Sequence, residues 1–203
     1  MRNPSFLVLN LIAIVIIAFA CGKSGTETPP ANEEEYDELI AQGWQAFAEK
    51  NYSNALEKFE EAESVDASSS EAYSGIGWAY LMLDSLTKAE ENFATGSQKT
   101  LPGANLNAGW AFALHLLHNY DASIENGLIV LQKDPEWKFE NGTSLNKNSV
   151  VLLLATNYFL TGNFSQSLVY IQKLNPIFTV DVFTAAGRAS LSQELERLSN
   201  SGE

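Results

Sequence analysis

A single cysteine, two histidines and 12 basic residues against 25 acidic ones narrow what this 203-residue chain can do. One cysteine allows no intramolecular disulfide and no thiolate metal cluster. The net charge of -13 at neutral pH repels phosphate backbones and anionic head groups, which removes nucleic acid from the candidate partners. His115 and His118 stand three apart, so one helical face could present both. A metal site needs further ligands, none is near in sequence, and no metal is expected. The chain also lacks a glycine-rich phosphate loop, a G-x-S-x-G elbow and a Cys–His pair. No catalytic residue and no cofactor is therefore expected, and the chain reads as a non-enzyme. Alternation of the strand type is missing from every segment, which leaves an all-α fold.

What is present begins with an apolar stretch from Phe6 to Ala20, preceded by Arg2 and interrupted only by Asn10. A positive start, an apolar run of about 15 residues and small residues before Cys21 form the layout of a secretory signal over residues 1–20. The run is shorter than the ~20 apolar residues of a spanning helix. Residues 21–35 are rich in Gly, Ser, Thr, Pro and charge and read as a flexible linker. The eleven residues from Gly22 to Asn32 reach ~35 Å when extended. Eleven carboxylates lie between Asn32 and Asp66 against Lys50 and Lys58, in the manner of a solvated helix face.

Ala18-Phe19-Ala20-Cys21 resembles the lipobox of bacterial lipoproteins, although that family favours Leu and then a small residue where this chain has Ala18 and Phe19. The resemblance implies a lipidated Cys21 at the mature N-terminus and a domain held at the cell envelope. Gly22 after the cysteine implies the outer membrane in a diderm cell, facing the periplasm or the exterior. Without the resemblance, the same stretch reads as an uncleaved anchor with Lys23 at its edge. Both readings put the domain outside the cytoplasm.

The body has a period. Turns at Lys50-Asn51-Tyr52, Asp84-Ser85-Leu86 and His118-Asn119-Tyr120 are spaced by 34 residues, and a fourth at Gly162-Asn163-Phe164 follows after 44. Each is followed by a small residue three positions on: Ala55, Ala89, Ser123 and Ser167. The additional ten residues fall within Glu136 to Asn146, where Asn141-Gly142-Thr143 reads as an exposed turn. Three of the four tryptophans directly follow a glycine, at Gly43-Trp44, Gly77-Trp78 and Gly109-Trp110. Leu39, Gly43, Ala46, Ala55 and Phe59 in the first unit, and Tyr73, Gly77, Tyr80, Ala89 and Phe93 in the second, trace the signature of the tetratricopeptide repeat.

The resemblance implies a right-handed solenoid of helical hairpins in units of about 36–69, 70–103, 104–137 and 148–180, closed by a capping helix at about 181–199. Leu191, Leu195 and Leu198 recur in that cap at helical spacing. It further implies that Gly43 and Gly77 let paired helices touch, and that the following tryptophans turn to the concave side. Trp44, Phe47, Trp78, Leu81, Met82 and Trp110 are then either packing between first helices or the lining of an apolar groove for a peptide. Lys, Arg and Asn clamps for a C-terminal carboxylate are missing from that face. The function implied is a membrane-anchored scaffold for protein partners in an envelope assembly. Two alternatives are a glycan-binding surface lipoprotein stacking sugars on Trp44, Trp78 and Trp110, and a lipoprotein that self-associates into a homo-oligomer.

Overall fold

The computed structural model describes residues 31–201, so the expected signal segment and Cys21 lie outside the described residues. Paired helices follow one another along the chain: α1 (Ala31–Ala48) with α2 (Tyr52–Val65), α3 (Ser70–Met82) with α4 (Leu86–Ser97), α5 (Ala104–Leu116) with α6 (Tyr120–Lys133), and α7 (Lys147–Leu160) with α8 (Phe164–Leu174), before a final α9 (Ala185–Asn200). The described residues contain no strand, and none of their helices is long and apolar enough to cross a membrane.

Each hairpin reverses at a residue in the left-handed region: Lys50 (φ 61°), Asp84 (φ 56°), His118 (φ 61°) and Gly162 (φ 79°). These are the positions at which the sequence period places its turns. Asn51 and Asn163 cap the returning helices by accepting from the backbone of Asn54 and Gln166, which satisfies otherwise unpaired first-turn N–H groups.

The recurring glycines are explained by two phenylalanines. A methyl group on Gly43 would lie 2.4 Å from Phe59 Cε1, and one on Gly75 would lie 2.4 Å from Phe59 Cδ1. The ring of Phe59 is thus clasped between its own hairpin and the next. Phe93 is held in the same way between Gly77 and Gly109, at 2.6 and 2.4 Å. Both rings are fully buried. The third unit has Gly127 where the first two have a phenylalanine and the fourth has Ile171, and the side chain of Leu154 from α7 packs against it.

First helices pack against first helices, α1 on α3, α3 on α5 and α5 on α7, whereas no second helix meets another second helix. The first helices therefore form the inner layer of a curved stack, and the second helices form the outer one.

Two boundaries differ from expectation. Helix α1 starts at Ala31, inside the stretch expected to be linker, because Glu33 and Glu34 sit in its first turn where the helix dipole favours acid. The cap also begins later, at Ala185, with Thr184 accepting from Gly187 N at 3.0 Å. Arg188 of α9 lies over the Phe164 ring at the start of α8, and Glu194 binds Asn175 just past its end. The cap thus runs parallel to α8, after residues 175–184 carry the chain back along the stack.

Candidate functional site

The inner face of the solenoid is not an open groove. The segment between α6 and α7 folds onto it, and its ends are stitched together by Phe139 N donating to Leu145 O at 2.9 Å and Lys147 N donating to Trp137 O at 2.7 Å. Phe139 is 1% exposed. Its ring centroid lies 5.8 Å from that of Trp44, 5.7 Å from Phe47 and 4.4 Å from Trp78. Aromatic edges and faces in such an arrangement attract one another and hold geometry. Trp137 is equally sealed, and its indole N–H donates to Asn105 Oδ1 at 2.8 Å. At the tip, Gly142 (φ 78°) lies so close to the end of α1 that a methyl group there would be 2.6 Å from Ala48 Cα.

For Phe47 and Trp78 this packing favours the filling of space over the lining of a groove. Phe47 and Trp78 are each 1% exposed, because Phe139 fills the space a ligand would need. The Trp78 indole is further tied down by donating to Asn105 O at 3.0 Å. Trp110 packs partly against the core with its indole N–H buried, and Leu81 also packs against the core. Met82 ends α3, about eleven residues and ~16 Å along the helix from Glu71. Phe47 and Trp78 thus line no open space on the inner face. A ring used as a stacking platform must present a face to solvent, so Trp78 is unsuited to a sugar. Sequence alone did not reveal the filling, because a ten-residue surplus carries no sign of which way it folds.

Trp44 is the expected groove residue that remains at an open site. Together with Glu71 and Ser74 of α3, Asn105 of α5, and Asp134 and Lys138 of the connecting segment, it lines a cleft of about 420 Å3 beside the N-terminal ends of α3 and α5. Trp44 is half-buried, and its indole N–H reaches Glu71 Oε1 at 3.4 Å. The Gly103 N-cap gives α5 no side-chain cap, so the first-turn N–H groups have no partner within the helix. Ser74 is 4% exposed, and its hydroxyl has no hydrogen-bond partner among the described residues. Tyr36, whose hydroxyl burial pushes above its ordinary pKa, donates to Ser69 Oγ at 2.7 Å and ties α1 to the cap of α3.

The two histidines are engaged separately. His115 Nδ1 lies 2.6 Å from Asn157 Oδ1, and His118 Nδ1 lies 2.8 Å from the Tyr120 hydroxyl. Asn157 also donates to Ser123 Oγ, which donates to Ala111 O, so a buried polar chain joins α5, α6 and α7. No cluster of three metal-ligating side chains occurs among the described residues.

No family model and no curated protein matches the chain. Among solved structures, PilF of Pseudomonas aeruginosa superposes with a TM-score of 0.62 at 16% identity, covering 83% of this chain and 69% of PilF. YrrB, a tetratricopeptide protein described as having an unusual peptide-binding site, gives 0.61 at 12% identity over 83% of this chain and 92% of its own. The second tetratricopeptide domain of human RPAP3, solved with the HSP70 peptide SGPTIEEVD, gives 0.52 at 17% identity over 62% and 97%. These likenesses establish the fold as a tetratricopeptide-type helical solenoid.

Proposed function

We propose that this tetratricopeptide-type solenoid is a non-enzymatic adaptor, tethered to an envelope membrane through lipid on Cys21, that holds a segment of another envelope protein in the cleft beside Trp44. The observation that carries the reading is the cleft itself, where the uncapped first turn of α5 and the buried, unpartnered hydroxyl of Ser74 adjoin the half-buried ring of Trp44. Sites with few convergent polar groups and an apolar wall suit a short peptide. YrrB and the RPAP3 domain, described by their peptide site and peptide complex, lend the fold a precedent. The tether and the envelope location rest on the sequence before residue 31.

Photocrosslinking in intact membranes from position 44, with Glu71→Lys as the control, tests the adaptor role. A stoichiometric partner lost in the control supports it, and the absence of any crosslinked partner counts against it. Intact mass and membrane fractionation, beside Cys21→Ala, test the tether: a diacyl or triacyl chain starting at Cys21 supports it, and an unmodified chain retaining Met1 does not.

A second reading, self-association, draws on Met82, Leu116 and Leu160. They occupy equivalent positions in successive units and are 40%, 50% and 48% exposed. Sedimentation of wild type beside Leu116→Glu tests it, since a homo-oligomer formed through this row would dissociate in the variant.

A further inference from the structure

We infer that the cleft recognises a basic segment of its partner: carbonyl oxygens of an extended backbone meet the first turn of α5 and Ser74, while a lysine or arginine side chain is held by Glu71 and Asp134. The inference rests on the adaptor reading for the origin of the segment and on the cleft alone for its chemistry.

Two independent features call for hydrogen-bond acceptors. Gly103 leaves the first-turn N–H groups of α5 uncapped, and Ala104, Asn105 and Leu106 of that turn line the cleft. Ser74 comes from a different helix and is 4% exposed, and its hydroxyl is buried without a partner among the described residues. Buried hydroxyls are nearly always paired, and this one lines the same space.

The charges around the cleft decide what kind of acceptor fits. Glu71 and Asp134 both line it, and neither is bridged by a cation among the described residues. Lys138, the basic residue of the lining, is turned to Glu140 at 3.4 Å. An anionic ligand would meet two carboxylates on a chain of net charge -13. The acceptor is therefore a neutral carbonyl, and the charge that accompanies it is positive. Asp134 terminates α6, where the helix dipole also favours a cation. Trp44 packs against Phe47, Phe59 and Phe139 yet also lines the cleft, and the π system of an indole there attracts a guanidinium or ammonium group. A stacked sugar is less suited, because the other tryptophan of the lining, Trp137, is sealed.

The test is a titration of the 15N-labelled full mature chain with the blocked pentapeptide Ac-Ala-Ala-Arg-Ala-Ala-NH2, following the indole N–H resonance of Trp44, identified by its loss in Trp44→Phe. The expected result is a saturable shift, roughly tenfold weaker with glutamine in place of arginine and absent with glutamate. Glu71→Gln should weaken the arginine peptide by roughly tenfold. Ser74→Ala should weaken it as well, and Ser167→Ala, which removes a buried hydroxyl outside the cleft, should leave it unchanged. The inference is overturned if no saturable shift occurs, if the glutamate peptide binds as well as the arginine peptide, or if a maltooligosaccharide saturates the site and the peptide does not. Arginine-peptide binding without a crosslinked membrane partner would sustain this chemistry while removing the adaptor role. Crosslinking through a segment without lysine or arginine would do the reverse.

Discussion

A serine hydroxyl sealed from water without a partner has lost its hydration and gained nothing in return, so it weakens the fold that contains it. Ser167 is in that position among the described residues, and so is Ser74 as long as no peptide meets it in the cleft. Ser74→Ala and Ser167→Ala should each stabilise the protein by about 1 kcal/mol, read as a higher urea midpoint at unchanged slope. A lower midpoint in Ser74→Ala would mean that the hydroxyl has a partner in solution. The glycines with positive φ separate strain from crowding. Gly162 (φ 79°) has nothing within 4 Å of an added methyl group, so Gly162→Ala carries only the left-handed penalty of ~1 kcal/mol. Gly142 (φ 78°) has the Ala48 backbone at 2.6 Å. Gly142→Ala should therefore cost clearly more, about 2–4 kcal/mol, because backbone must move as well. Equal losses in the two variants would show that the tip of the segment is not seated on α1.

Among the elements, α9 is attached through a carboxylate whose charge matters. Glu194 is 8% exposed and accepts from Arg197 Nη2 at 2.6 Å, Arg197 Nε at 2.8 Å and Asn175 Nδ2 at 2.8 Å. The hydrogen bonds from Arg197 hold its carboxyl down to about 2, opposed by burial and aided by Asn175. A carboxyl that is more acidic in the folded state stabilises fully above its ordinary value of 4.5 and progressively less as pH falls toward 2. Amide protection in α9 should fall over that window. Glu194→Gln should remove the pH dependence and leave α9 less protected at neutral pH. A wild-type profile that stays flat between pH 4.5 and 2 would refute the linkage. The helices themselves were legible beforehand because turn residues and small packing residues recur at a fixed spacing. The polar chain from His115 through Asn157 to Ser123 was not, since its members come from three helices and no local pattern pairs them.

In a repeat solenoid each unit touches its neighbours, so stability is close to a sum of local terms and the ends fray first. The segment between α6 and α7 breaks that rule, because Phe139 joins the rings of Trp44 and Phe47 on α1 and Trp78 on α3 to a connection two units further on. Phe139→Ala should cost about 3–5 kcal/mol, and the loss should be uneven. Hydrogen exchange in α1 and α2 should run ahead of α5 to α8, whereas the wild type should exchange more nearly as one unit. Uniform acceleration along the chain would mean that the segment is only a passive part of the core.

The sequence by itself determined the hairpins, their turns and the small residues at which paired helices touch, because each recurs at a fixed period and its backbone and size requirements are local. It did not separate Trp44 from Trp78 and Trp110, for all of which packing and groove lining stayed open. The closing of the groove was decided only in three dimensions. Nothing near Phe139 in the chain says whether its ring faces water or Trp78; that depends on a space shaped by α1 and α3, which exists only once the units have stacked. The same holds for the cleft, where Glu71, Ser74, Asn105 and Asp134 acquire a common chemistry because the stack brings the ends of their helices to one side.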